Sequence, residues 1–166
     1  MLTAHVVSSV GWLGAVAAFL VLAVSGLTRD DPEIVRGIYV GMALLTWWVI
    51  VPLCAASLLT GILQGLGTPW GLLRHYWVLV KLILTVIATF VLAVRLGDIR
   101  FLGEQAADAG LTNTGYRDER ATMVLHAAGG LLVLLAATIL AIFKPPGRTR
   151  YGWRRLQQES SQNTPP

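Results

Sequence analysis

The sequence predicts an all-α membrane protein, a four-helix up-and-down bundle, and two observations lead to that prediction. The first is composition: 55% of the 166 residues are hydrophobic and 13% are charged, whereas an ordinary soluble domain carries about 25% charged residues. The second is segmentation, because the apolar residues fall into four runs, each near the roughly 20 residues that cross a bilayer. We assign the spans to residues 4–27, 38–63, 70–94 and 121–143, within one transmembrane unit of residues 1–144.

The first span carries a polar stripe. His5, Ser8 and Trp12 recur at helical spacing and share one face. Because polar groups in lipid belong against protein, we expect this face to point into the bundle. After a short connection, Asp31 and Pro32 are the residue types favoured at an N-cap and at the first position of a helix, so a new helix should start there.

The second span contains a helix-disrupting proline and a row of small residues. Pro52 removes one backbone hydrogen bond and crowds the carbonyl of Trp48, which predicts a kink. Ser57, Gly61 and Gly65 form a small-xxx-small ladder, which predicts close approach of a neighbouring helix.

The third span is predicted to begin with Thr68 as N-cap and Pro69 as first helical residue. It is expected to end near Arg95, because Gly97 interrupts the apolar pattern and a polar stretch of mixed charge follows. Part of this stretch, around residues 101–109, is expected to continue as an exposed helical turn or two. With these bounds no Asp or Glu lies in any span.

The fourth span is followed by a polar tail, residues 145–166, which is basic at first and then rich in Gln, Ser and Pro. We expect the last ten residues to be disordered. The net charge of +4 could suggest nucleic-acid binding, but five of the thirteen cations lie in the last 23 residues, beside an apolar segment. That placement favours anionic lipid headgroups as the partner of the tail, and no nucleic acid.

The distribution of cations also predicts the orientation. The connections on one side of the membrane hold six Arg, and the other side holds Arg74 and the five tail cations. Because the tail cations lie close to the last span, where the positive-inside bias acts most strongly, we place both termini in the cytoplasm. The protein is then expected in the bacterial plasma membrane.

Three histidines are candidate ligands. His5 and His75 begin spans that run in the same direction, so they should lie near one membrane face, where they could bracket a b-type haem as axial ligands. His126 enters from the opposite face and should lie about 15 to 20 Å from the other two, so one metal cannot touch all three. In the alternative interpretation His75 faces headgroups, while His5 and His126 are inward, hydrogen-bonded residues.

Lys81 is the one cation placed well inside an apolar run. With no carboxylate in any predicted span, three kinds of group could interact with the charge of Lys81. They are headgroups reached by snorkelling, a backbone carbonyl freed near Pro52, and an anionic ligand such as a haem propionate.

Two short motifs carry a resemblance to known families. The patterns His5-x6-Trp12-Leu13-Gly14 and Trp77–Leu82 resemble a loose group of bacterial four-helix integral membrane proteins that includes copper-resistance-D-type proteins and J-type protoporphyrinogen oxidases. In the haem-pathway members of that group, a histidine of the first span and a lysine preceded by Trp are linked to b-type haem. The resemblance implies His5 and Lys81 as the corresponding pair, with His5 as the candidate metal ligand. Where those enzymes tend to carry a second histidine just before the lysine, this chain has Leu79 and Val80.

A longer string, Gly67 to Leu82, is similar to uncharacterised small membrane proteins of actinobacterial type. Three functions therefore stay open. The first is binding of haem b or another anionic or metal-bearing ligand inside the bundle, and the second is a structural or accessory subunit that packs against itself or a membrane partner. The third is transport of a small solute or copper, which the lone Cys54 and the absence of a Met stripe disfavour.

Overall fold

The computed structural model describes residues 2–67, 75–107 and 116–143, together with Gly147, Thr149 and Arg154. These residues form an all-α four-helix bundle, which confirms the predicted fold class. The helices are α1 (Leu2–Thr28), α2 (Pro32–Leu45), α3 (Val51–Gly67), α4 (Tyr76–Ala107) and α5 (Arg117–Phe143), and a π-helix (Thr46–Ile50) joins α2 to α3. The continuous segment Pro32–Gly67 makes up one of four spans that are long and apolar enough to cross a membrane, as in a multi-pass membrane protein.

The start of α2 matches the prediction. Asp31 is the N-cap, and its Oδ1 accepts hydrogen bonds from the backbone N–H of Glu33 at 2.9 Å and of Ile34 at 3.4 Å. Pro32 occupies the first turn, where its missing N–H leaves no partner unsatisfied. The helix therefore begins six residues before the span that hydropathy alone marked out.

The distortion expected at Pro52 takes the form of the π-helix. Proline cannot donate to the carbonyl four residues earlier, and its ring needs room beside that carbonyl. The wider turn is completed by the N–H of Val51, which donates to the carbonyl of Thr46 five residues back. Trp47 and Trp48 are exposed at this turn, so the outward face of the bundle is aromatic there.

The predicted end of the third span is wrong, because α4 continues through Gly97 to Ala107. The helical continuation predicted around residues 101–109 is present as far as Ala107, but it is not exposed throughout, since Leu102, Gly103 and Ala106 are buried. A Cβ at Gly103 would lie 2.7 Å from the Cβ of Ala43, so α4 and α2 approach closely there. Residues 95–107 therefore belong to the bundle, and the expectation that no carboxylate lies in a helical span fails for this segment.

Each helix packs on two or three others. α1 contacts α2, α3 and α5, and α4 contacts α2 and α5 but has little contact with α3. Small residues allow the closest approaches: Gly26 of α1 lies against the ring of Tyr39, and Gly61 of α3 lies against His5. Together with buried Ser57, Gly61 confirms that the small-residue ladder of α3 receives a neighbouring helix.

Several predictions fall on residues outside the described ranges. These are the N-cap at Thr68, the first-turn Pro69, Arg74, and most of the tail.

Candidate functional site

His5 lies at the contact between α1 and α3. Its Nδ1 is 3.2 Å from the carbonyl oxygen of Ser57 and 3.1 Å from Oγ1 of Thr60. A carbonyl can only accept, so the Ser57 contact requires Nδ1 to carry the proton, which leaves the lone pair on Nε2. Ser8 and Trp12 on the same face are buried, as the polar stripe predicted.

Lys81 is half-buried near the start of α4 and is close enough to His5 for its charge to act on the imidazole. Within the described residues no acceptor lies within hydrogen-bond distance of its Nζ. His75 directly precedes α4. Because α1 and α4 run in the same direction, these three predicted site residues lie toward one end of the bundle.

His126 belongs to a second cluster, toward the other end. Its Nδ1 donates to the carbonyl of Thr122 at 2.7 Å, and its Nε2 accepts from Nη2 of Arg95 at 3.0 Å. Nη1 of Arg95 donates to Oδ2 of Asp98 at 2.8 Å. Both nitrogens of His126 are therefore engaged, whereas Arg95 uses two of the five N–H donors of a guanidinium.

Arg95, Asp98 and His126, which we call the Arg95 cluster, line a cavity that we call the axial cavity. It lies among α1, the π-helix, α4 and α5 and has a volume of about 380 Å³. On α4 its wall extends from Ala88 to Ile99, which is about 16 Å at 1.5 Å per residue.

The lining of the axial cavity is divided into a polar and an apolar end. The side chains at the polar end are those of Arg95, Asp98, Asp118, Glu119, Thr122 and His126. Toward the opposite end the lining is apolar and includes Trp12, Ala88 and Leu134. Among all lining residues, those classed as exposed are the three carboxylates, so the cavity opens at its polar end.

The indole of Trp12 lines this wall, and its buried N–H is unsatisfied among the described residues. Its side chain is 2% exposed, and within the described part of the chain its Nε1 has no hydrogen-bond partner. A buried N–H without a partner costs about 1–3 kcal/mol.

Sequence reasoning selected His126 but missed Arg95, Asp98 and Trp12 as parts of one site. The sequence contains a signal for the first two, since Arg95 and Asp98 are spaced for an ion pair on a helix, as are Arg100 and Glu104, which bond at 2.8 Å. That spacing argues for a helix through Gly97. Nothing in the sequence places Trp12 beside them, because that contact depends on how α1, α4 and α5 pack.

The predicted haem ligands lie at opposite ends of the helix bundle. His5 and Lys81 do not line the axial cavity, and His126 would have to give up its bond to Arg95 before it could bind a metal. Among the described residues, no group of three or more His, Cys, Asp or Glu side chains could hold a metal ion. His126 lies toward the opposite end of the bundle from His5 and His75.

In comparisons with known proteins, no family model, no curated protein and no solved structure matches the chain.

Proposed function

We propose that the protein binds a single-chain amphipathic molecule in the axial cavity, inside a multi-pass membrane bundle. The observation that carries this proposal is the division of the cavity into a polar end with an opening and an apolar end without exposed residues. A hydrocarbon chain would occupy the apolar end, and a polar head would remain at the Arg95 cluster.

The size of the cavity supports a small ligand. Its volume of about 380 Å³ lies within the range of about 300–1,000 Å³ that is usual for ligand pockets. Burial of a chain against Ala88 and Leu134 contributes about 0.8 kcal/mol per methylene group.

Two neighbouring glycines provide the test. Gly130 lines the axial cavity, whereas Gly129 is exposed and is not part of its lining, and neither has an atom within 4 Å of an ideal Cβ. We expect Gly130→Leu to displace the equivalent of about two methylene groups of ligand, or about 1.6 kcal/mol, and so to weaken binding roughly tenfold. Gly129→Leu adds the same side chain to the outer surface and should leave binding unchanged.

Radiolabelled decanol is a suitable probe, with the protein in nanodiscs and protein-free nanodiscs as the background. We expect one saturable site that Gly130→Leu weakens and Gly129→Leu retains. The proposal fails if binding does not exceed the background, or if the two variants bind decanol equally well.

We propose binding of haem b through His5 as a second candidate, because one contact favours it. Histidines that bind metals commonly donate their other ring N–H to a carbonyl, as Nδ1 of His5 does to Ser57. Nε2 would then be the axial ligand, and Lys81 would receive a propionate. Bound haem would supply redox chemistry, while the contribution of the chain would be to fix the imidazole and balance charge.

The optical spectrum tests this candidate. Protein expressed with ample haem should show a Soret band that disappears in His5→Ala and persists in His126→Ala. No band, even after haem is added to the purified protein, would exclude haem. A band unaffected by His5→Ala would exclude His5 as its ligand.

We also propose that both termini are cytoplasmic in a bacterial plasma membrane, with the basic tail at anionic headgroups. The opening of the axial cavity, at the end of the bundle opposite the N-terminus, would then face outward. A C-terminal green fluorescent protein fusion should fluoresce in intact cells, and a dark fusion that is nevertheless inserted would reverse the orientation.

A further inference from the structure

We infer that the opening of the axial cavity contains a pH-sensitive switch, in which proton uptake by His126 moves the guanidinium of Arg95 from His126 to Asp98. The switch goes beyond the proposed function, because it operates with or without a ligand in the cavity. Two features support it: hydrogen bonds that require His126 to be neutral, and an acceptor on α4 that already holds Arg95.

The hydrogen bonds of His126 fix its protonation state. The carbonyl of Thr122 can only accept, so Nδ1 carries a proton, and the guanidinium of Arg95 can only donate, so Nε2 is an unprotonated acceptor. His126 is therefore neutral while its contact of 3.0 Å with Nη2 of Arg95 exists. A proton on Nε2 removes the acceptor and places a second positive charge beside Arg95, so this contact must break.

Asp98 can take the donor that His126 releases. It lies one helical turn beyond Arg95 on α4, and its Oδ2 already accepts from Nη1 at 2.8 Å. Arginine and carboxylate commonly form a fork of two parallel N–H···O bonds, and release of Nη2 allows Arg95 to complete such a fork with Asp98. Because Asp98 is exposed and His126 is half-buried, the guanidinium then moves toward the opening.

Other charges near His126 belong to its own helix. Asp118 and Glu119 line the opening, and Arg117 and Arg120 flank them in the sequence. The described residues of α1 and of the π-helix that line the cavity carry no ionisable group. Imidazole ordinarily changes charge between about pH 5 and 8, whereas carboxylates do so at lower pH. As the pH falls, we therefore expect an imidazole to be the first group at this opening to gain a proton.

The test is solid-state NMR of the full chain in lipid bilayers, with isotope-labelled Arg and His, from about pH 8 to about pH 5. At the higher pH we expect a through-space signal between Nη2 of Arg95 and Nε2 of His126. This signal should disappear as Nε2 gains a proton, and the side-chain signals of Arg95 should shift over the same pH range. Arg100, which is paired with Glu104 at 2.8 Å on the same helix, is the matched control and should not shift.

Two variants test the two steps of the switch. In His126→Gln the side-chain oxygen can accept from Arg95 and the amide can donate to Thr122, but the group does not ionise, so Arg95 should keep its high-pH signals throughout. In Asp98→Asn the carboxylate fork cannot form, so Arg95 should leave His126 without reaching its wild-type low-pH position. Glu104→Gln, the matched control, should leave the response of Arg95 unchanged.

Several results would overturn the switch. It fails if His126 stays neutral down to about pH 5, or if Arg95 keeps its contact and its signals while His126 gains a proton. An equal shift of Arg95 in His126→Gln would assign the change to a carboxylate. A wild-type response in Asp98→Asn would exclude Asp98 as the receiving group. If His126→Gln does not fold, the comparison of Arg95 with Arg100 in the wild-type chain decides.

Discussion

The extension of α4 beyond Gly97 predicts opposite effects for two glycine-to-alanine substitutions in the same helix. Gly97 is exposed, and a Cβ there would meet no atom within 4 Å, whereas a Cβ at Gly103 would lie 2.7 Å from the Cβ of Ala43. Alanine in place of glycine inside a helix contributes about 0.8–1.0 kcal/mol. Gly97→Ala should therefore raise the free energy of unfolding by up to about 1 kcal/mol.

At Gly103 the same gain is opposed by overpacking. A Cβ–Cβ contact cannot be relieved by a change of rotamer, so α2 and α4 must separate, and overpacking of this kind costs about 1–3 kcal/mol. Gly103→Ala should be about 1–3 kcal/mol less stable than Gly97→Ala. Replacing Ala43 by Gly removes the opposing methyl group, so it should restore part of the stability of Gly103→Ala but not change the effect of Gly97→Ala.

The measurement is reversible unfolding in mixed micelles. Dodecyl sulfate is the denaturant, and its mole fraction is varied. Equal shifts for Gly97→Ala and Gly103→Ala would refute the close contact between α2 and α4. A large loss of stability in Gly97→Ala would refute the continuous helix, because it would mean that the backbone there needs glycine.

Three further predictions concern the remaining contacts, and the same unfolding experiment measures the first two. Asp31→Ala should cost about 1 kcal/mol because two N–H groups lose their acceptor, while Asp31→Asn should retain most of the stability; equal losses would argue against capping. Tyr39→Phe should be neutral or stabilising, because its buried Oη has no partner within the described residues, and a loss above about 1 kcal/mol would reveal an unseen acceptor. Gly61→Val should displace the ring of His5, which lies 3.0 Å from an ideal Cβ, and so shift the His5 imidazole resonances in an NMR spectrum; unchanged resonances would contradict the contact.

Local rules were sufficient for part of this structure. The cap at Asp31 and the distortion before Pro52 depend on a few neighbouring residues, and both were predicted from residue type. The inward face of α1 followed from helical spacing and the high cost of polar groups in lipid. Each of these depends on interactions within one helix or between one helix and its solvent.

The same local rules misplaced the end of α4. A glycine in a polar stretch looks like a helix end, yet packing against α2 keeps the helix intact for ten more residues. Nη2 of Arg36 then donates to the carbonyl of Ala107 at 2.7 Å, so a side chain from another helix satisfies a terminal carbonyl. That contact joins residues 71 positions apart, a separation that a local pattern does not reveal.

The sequence by itself determined that this protein has four apolar spans and where its second helix begins, because hydropathy and capping act along the chain. Only the tertiary structure decided which groups meet. It placed Arg95 and Asp98 on a helix beside His126, put Trp12 in the same wall, and left His5 and Lys81 outside that cavity. The physical reason is that cavities and unsatisfied donors arise from the packing of whole helices, which no single segment specifies.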